Sequence, residues 1–308
     1  MLHVLNNVYS HSEKPGSSIR LMFFDFSSAF NTIQPHLIVQ KLLAMNLSPS
    51  TVHWIFNYLT NRPQMVSLNG KKSDVAYTNT GAPQGTVLAP FLFTLYTASC
   101  RNSDISCPLV KFADDTAMVG KISNDDDSIY LDEIERFTDW CNDNYLNVLK
   151  TKELCIDFRK VQCDPAPVHI KDSIVDRVNE YKYLGIKLDS KLKWVENTNF
   201  IIKKANTRLY CLRKLRSFGV SHDLLGVFFN AVVCSALTFG IVCWGGNLSR
   251  HEMGRLNKII KKGSQIIGKQ RENIDSIYNK RIMSKAHSVL KDQSSVQVCV
   301  SHYFVLLL

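Results

Sequence analysis

One stretch constrains this chain more than any other: Val110-Lys-Phe-Ala-Asp-Asp-Thr-Ala-Met-Val-Gly120, where apolar runs flank two adjacent carboxylates, Asp114 and Asp115. The apolar pattern predicts two β-strands whose connecting turn presents both acids at one edge of a sheet. Neighbouring like charges repel, so such a pair needs solvent or a multivalent cation to offset it. An isolated Asp-Asp pair is more often a solvated turn than a metal site. The rest of the chain decides between the two.

Charge is the next constraint. The 308 residues carry a net +10, unevenly spread: residues 1–150 hold 11 Lys and Arg against 14 Asp and Glu, and residues 151–308 hold 26 against 13. An acidic half joined to a basic half suits a metal-using enzyme acting on a polyanion. An apolar fraction of 45% supports a packed core and excludes a low-complexity disordered chain. Nine cysteines occur without a Cys-x-x-Cys pair or a zinc spacing, which points to reduced thiols in an intracellular compartment, nucleus or cytoplasm left open. The first residues carry no signal-peptide pattern. Leu224 to Trp244 is uncharged and long enough to span a bilayer. Gly226, Asn230, Ser235, Thr238 and Gly240 interrupt it, so the expectation is a buried helix and no membrane partner.

Along the chain, Ile19 to Phe26 reads as a strand that delivers Asp25 at its end. Pro35 opens a helix to about Met45, and Ser48-Pro49 another to about Leu59. Gln64 to Leu68 and Val75 to Thr80 form a hairpin around Asn69-Gly70. The turn-rich Thr80-Gly81-Ala-Pro-Gln84-Gly85-Thr86 leads into a helix from Val87 to about Ala98. Asp125, Asp126 and Asp127 precede a helix to about Cys141 and complement its dipole, with Ile129, Leu131, Ile134, Phe137 and Trp140 as inward candidates. Strands follow over Leu154–Arg159 and Tyr183–Leu188, and from Trp194 the pattern is helical. One late helix has a stripe of Ile201, Ala205, Leu209 and Leu212, ringed by Lys203, Lys204, Arg208, Arg213, Lys214 and Arg216. A second buries Leu256, Ile259, Ile260, Ile266 and Ile267. Basic helices of this kind can track a phosphate backbone.

If the Asp25 strand neighbours the Asp114-Asp115 hairpin, three carboxylates meet at one sheet edge. Hard oxygen ligands so placed suit two magnesium ions. Phosphoryl transfer asks for little beyond positioning and charge neutralisation.

The ordered set Phe24-Asp25-Phe-Ser-Ser-Ala-Phe30-Asn31-Thr32, Gly81-Ala-Pro-Gln84-Gly85, Phe112-Ala-Asp114-Asp115, Leu146-Asn147, Lys150-Thr151-Lys152 and Tyr183-Leu184-Gly185 resembles the reverse transcriptases of non-LTR (LINE-like) retrotransposons. The resemblance extends to about residue 292. It implies an α+β fold: a polymerase palm of antiparallel sheet and packed helices, with a mainly helical, thumb-like domain. The expected division is 1–190 for palm and partial fingers, 191–292 for the basic thumb, and 293–308 for an atypical apolar tail. The implied activity is RNA-directed DNA polymerisation by two-metal nucleotidyl transfer, with Mg²⁺ (or Mn²⁺) held by Asp25, Asp114 and Asp115. Phe26 would lend its carbonyl as a further metal ligand, Phe30 would act as steric gate, and Gln84 and Gly85 would flank nucleotide and template. Lys150 or Lys152 would be the general acid, the choice being open. Tyr183, Leu184 and Gly185 would form the turn that grips the primer, and Lys203, Lys204, Arg208, Arg213 and Lys214 would hold nucleic acid. The implied partners are an RNA template, a DNA primer and deoxynucleoside triphosphates; oligomeric state is left open.

Only 24 residues precede Asp25, and no endonuclease region is present, so the expectation is a truncated reading frame that polymerises poorly or not at all. Two other readings compete. A non-catalytic nucleic-acid-binding remnant would keep the basic helices without turnover. An AlkB-like RNA-modifying enzyme would need an iron-binding His-x-Asp/Glu, which only His11-Ser-Glu13 offers.

Overall fold

The computed structural model describes residues 1–148, 150–161, 164–171 and 173–291; the apolar tail lies outside them. The chain forms two compact units, Lys14–Val178 and a second made of Met1–Glu13 with Asn179 onward. Helix α1 (Leu2–Ser12) belongs to the second.

In the first unit, β1 (Ser17–Phe24) precedes helices α2 (Pro35–Ala44) and α3 (Pro49–Leu59). Helix α3 starts where Pro49 fixes φ and the Ser48 hydroxyl accepts the Thr51 N–H. The expected hairpin is two ladders: β2 (Arg62–Gln64) with β5 (Ala76–Thr78), and β3 (Ser67–Leu68) with β4 (Lys71–Lys72). Asn69 and Gly70 close it at φ +49° and +79°. Next come α4 (Leu88–Tyr96), β6 (Leu109–Phe112), β7 (Asp115–Ser123), α5 (Ser128–Asp143) and β8 (Lys152–Ile156). Three short strands end the unit, β9 (His169–Ile170), β10 (Ser173–Ile174) and β11 (Asp176–Arg177).

Five strands form the main sheet in the order β11-β8-β1-β7-β6, antiparallel except for β11 beside β8. Alternation puts Met22 and Phe24 of β1, and Met118 and Ile122 of β7, into one core with Ile38, Leu92, Phe93 and α5. The phase of α5 differs from expectation. Tyr130, Ile134, Phe137 and Cys141 face inward, whereas Ile129 and Leu131 are exposed. Glu133 sits on the buried face because its carboxylate accepts the Ser103 hydroxyl and the Ser103 and Asp104 N–H groups. The acids before α5 also do more than face its dipole. Asp125 pairs with Arg159, Asp127 pairs with Arg20, and only Asp126 takes up the helix-start N–H of Ser128.

Arg20 is the central buried charge. It lies in β1 opposite Gly120, where an added Cβ would stand 2.4 Å from the Tyr130 ring. That gap lets Tyr130 lie beneath the guanidinium, 5.0 Å from ring centre to Cζ. Glu153 Oε1 accepts from Arg20 Nε at 2.8 Å and from the Tyr130 hydroxyl at 3.0 Å, while its Oε2 accepts from Arg177 at 3.1 Å. The network ties β1, β8 and β11 to α5.

In the second unit, the expected strand Tyr183–Leu188 is a hairpin, β12 (Glu180–Tyr183) against β13 (Ile186–Asp189). Helices α6 (Val195–Ser217) and α7 (His222–Phe228) follow, then a π turn (Phe229–Cys234), α8 (Ser235–Leu237), α9 (Ile241–Trp244), α10 (Arg250–Ile267) and α11 (Ile274–Lys291). The stripes expected on α6 and α10 are buried. His222–Asn247 is long and apolar enough by length and composition to cross a membrane. It is one broken stretch and not one buried helix: Gly240 is left-handed, and Leu224, Val227 and Phe239 are exposed.

Candidate active site

Asp25 follows the last residue of β1, and Asp115 is the first of β7. Because Phe24 pairs with Thr116, the antiparallel register sets these two acids at the same end of neighbouring strands. The Phe112–Asp115 pair closes a two-residue turn that holds Asp114. Ala113, the other turn residue, sits at φ +53°, a conformation that disfavours a side chain by roughly 1–2 kcal/mol. The tight turn therefore stores strain beside the acids. Asp25 and Asp115 are exposed and Asp114 is half-buried. Although its surface is exposed, partial desolvation at the turn pushes the Asp115 carboxyl above its ordinary range, and the charges of Asp114 and then Asp25 add to the rise. The three acids thus share one electrostatic neighbourhood.

Among the described residues, no three His, Cys, Asp or Glu side chains gather closely enough to enclose an ion. Magnesium is usually held by one or two carboxylates together with substrate phosphates. An exposed, mutually repelling set of hard oxygen donors fits that mode and not a closed protein cage.

The segment after Asp25 is pinned from below. Phe26 bridges to Val148, the Ser27 N–H donates to the Asn147 carbonyl at 3.0 Å, and the Phe26 ring is buried against Phe93 and Phe137. Phe30, half-buried, lies 5.3 Å from the Phe93 ring. The Ala82 N–H donates to the Phe30 carbonyl at 2.8 Å, and the Gly81 N–H to the Ile33 carbonyl at 2.7 Å. Glycine is required at 81, since a Cβ would stand 2.6 Å from Asn31 Cα at φ +72°. Arg62 clamps the same loop through the Thr80 and Gly81 carbonyls, at 2.6 and 2.9 Å. Gln84 is exposed with its amide 3.4 Å from the Asn31 side-chain oxygen, and Gly85 is at φ +83°. Phe30 and Gln84, far apart in sequence, therefore share one loop junction.

Two lysines that carried no signal in the sequence fasten the other end of α4. Lys41 donates to the Tyr96 carbonyl at 2.6 Å and to Asn144; Lys111 donates to the Thr97 and Cys100 carbonyls at 2.6 and 2.8 Å. Cations there complement the helix C-terminus. Burial lowers both amines, Lys41 to about 8.

Of the two candidate acids, Lys152 is paired with Asp176, whereas Lys150 is exposed with no ion pair among the described residues. In the second unit Leu184 and Gly185 form the β12–β13 turn at φ +47° and +81°, following the buried Tyr183. Lys203, Lys204, Arg213 and Lys214 are exposed on α6. Arg208 instead turns inward and donates to the Val232 carbonyl at 2.6 Å. Arg216 holds the Gln265 and Ile266 carbonyls at the end of α10.

Residues 3–188 match the family model described as reverse transcriptase (RNA-dependent DNA polymerase). The chain is similar to the RNA-directed DNA polymerase from mobile element jockey of Drosophila funebris, 26% identical over 77% of this chain and 26% of that protein. It is likewise similar to a probable RNA-directed DNA polymerase from transposon X-element of Drosophila melanogaster, 25% identical over 80% of this chain and 28% of that one. It spans about a quarter of the length of these curated relatives. A telomerase from Candida tropicalis, solved with a TWJ fragment of telomeric RNA, aligns at TM-score 0.47 and 10% identity over 99% of this chain and 51% of its own. The chain belongs to the reverse transcriptase (RNA-dependent DNA polymerase) family, of the non-LTR, LINE-like type.

Proposed function

We propose that this chain is the catalytic region of an RNA-directed DNA polymerase, extending a DNA primer on an RNA template with deoxynucleoside triphosphates. The observation that carries the reading is the register that sets Asp25 beside Asp115, with Asp114 in the adjoining turn. These carboxylates would hold Mg²⁺ or Mn²⁺, with the Phe26 carbonyl as a further oxygen donor. Bound there, the ions would supply charge neutralisation and activation of the primer hydroxyl. Phe30, backed by Phe93, would stand against the sugar and exclude a 2′-hydroxyl. Gln84 and Gly85 would flank the incoming nucleotide, where glycine permits close backbone approach. Lys150 would give a proton to the leaving pyrophosphate, because Lys152 is engaged by Asp176. Tyr183, Leu184 and Gly185 would grip the primer, and the exposed lysines and Arg213 of α6 would bind phosphates.

The test is primer extension by the purified chain on an RNA template with annealed DNA primer, in Mg²⁺ or Mn²⁺, beside Asp115→Asn. Extension that disappears in the variant is the expected result. Template–primer binding without extension in either protein would refute the polymerase reading and leave a binding remnant.

A further inference from the structure

The loop of residues 80–86 carries Gln84 and Gly85 at an open apex. Gln84, Gly85 and Thr86 face solvent, and a Cβ added at Gly85 would meet nothing within 4 Å. The 3.4 Å contact between Gln84 and Asn31 is too long to fix the amide by itself. What places the apex is therefore whatever holds the two ends of the loop.

Both ends are tied to the last turn of α3. Val52, Ile55 and Leu59 of that helix are buried in the core of the unit, which makes the turn a fixed post. Tyr58 holds the far end: its hydroxyl meets the Thr86 hydroxyl at 3.0 Å. The Thr86 hydroxyl donates to the Pro83 carbonyl at 2.8 Å, so Tyr58 is the donor of the pair. Thr86 Oγ1 also accepts the Ala89 N–H at 3.3 Å, which joins the loop to the first turn of α4. Arg62, the first residue of β2, holds the near end. Its Nη2 donates to the Thr80 and Gly81 carbonyls at 2.6 and 2.9 Å, and its Nε to the Leu59 carbonyl of α3 at 3.3 Å. Each of these bonds goes to a backbone carbonyl and none to a carboxylate. A planar guanidinium presents its donors in a fixed fork, so it sets where those carbonyls stand.

We infer that Tyr58 and Arg62 are positioning residues for the incoming deoxynucleotide: from the end of α3 they set the span of the loop, and with it the placement of Gln84 and Gly85. They act through the loop, so their loss weakens nucleotide binding and leaves the chemical step at Asp25 and Asp115 in place. The inference rests on the polymerase reading, which supplies the nucleotide, and adds the residues that hold its seat.

The experiment measures binding of the next complementary deoxynucleoside triphosphate to the chain on a template–primer whose primer ends in a dideoxynucleotide, so that no bond forms. Steady-state extension of an ordinary primer is followed beside it. Arg62→Ala should weaken nucleotide binding about ten- to a hundredfold, the scale of a lost charge-assisted hydrogen bond, and raise KM alike with kcat little changed. Arg62→Lys should recover part of that loss. Tyr58→Phe keeps the ring stacked on Trp54 and loses only the hydroxyl; it should weaken binding about two- to tenfold. Template–primer affinity and its salt slope should stay as in wild type, and circular dichroism checks each fold. Should Arg62→Ala not fold, Tyr58→Phe decides by the same readings. Unchanged nucleotide binding, or a fall in kcat with KM unchanged, overturns the inference. A salt slope lowered by about one in Arg62→Ala also overturns it, by making Arg62 a phosphate contact. The two claims separate cleanly: nucleotide binding that depends on Arg62 in a chain that never extends a primer sinks the polymerase reading alone. Extension with an unchanged KM in Arg62→Ala sinks the inference alone, and a wild-type chain that binds no nucleotide sinks both.

Discussion

Glu153→Ala should be among the most damaging single changes in the first unit. Glu153 is 1% exposed and Arg20 2%, and the carboxylate receives Arg20, Arg177 and Tyr130. Removing it strands a buried guanidinium that keeps Asp127 and the Ala166 carbonyl but loses its best-buried counter-charge. Breaking such a pair from one side costs about 3–5 kcal/mol. For a unit of this size that is roughly a 10 °C fall in melting temperature. Two units make a global melt ambiguous, so the assay is peptide-resolved hydrogen exchange, in which β1 and β8 amides report their own opening energy. Protection there should fall by the same 3–5 kcal/mol, up to the unit's total stability, with α10 unaffected. Arg20→Met with Glu153→Leu should recover part of the loss, because the buried guanidinium is no longer stranded even though the Tyr130 hydroxyl still lacks its acceptor. A loss under about 1 kcal/mol in Glu153→Ala, or a double variant no better than the single, would refute the account.

Other outcomes follow from the site. In metal-free buffer Asp115→Asn should melt higher than wild type at pH 7 and no higher at pH 3. The folded-state pKa of Asp115 is raised by burial, Asp114 and Asp25, so its ionisation destabilises the fold, an effect absent below the unfolded value of about 4 and growing as pH climbs through the folded one. Mg²⁺ should raise the wild-type melting point more than the variant's. Lys41, lowered to about 8 by burial, favours the fold when neutral; relative to Lys41→Met, wild type should gain stability between pH 8 and 10.5, and a flat difference would contradict the burial of that amine. Phe30→Val should admit ribonucleotides, raising their use relative to deoxynucleotides about ten- to a hundredfold in single-nucleotide extension.

What could be read from the chain was whatever local pattern specifies. Asp25 and the Asp114-Asp115 hairpin were legible because strand period and turn position are short-range properties, and the structure places them at one strand end. Strand pattern alone read Tyr183–Leu188 as one strand, since Leu184 is a poor left-handed residue, whereas the family resemblance implied a turn at Tyr183-Leu184-Gly185; the structure has that turn, with Gly185 at φ +81° against Phe239. The stretch from Leu224 misled for a related reason. Leu225, Phe229, Val233, Leu237 and Ile241 are buried at every fourth position, a spacing that overshoots the ~3.6 residues of an α-turn. The wider π turn at Phe229–Cys234 takes up part of that drift, so the stripe stays buried without a continuous α-helix.

Charged residues divide along the same line. Arg208 and Lys203 occupy similar basic surroundings in sequence, yet Arg208 serves the Val232 carbonyl and Lys203 faces solvent. Lys41, Lys111 and Arg216 likewise end on helix carbonyls remote in sequence. A lysine or arginine therefore signals phosphate binding only after the backbone acceptors within its reach are accounted for. By that criterion the cations left for a polyanion on α6 are Lys203, Lys204, Arg213 and Lys214, and of these it is Lys204 that an aromatic ring holds at a cavity wall.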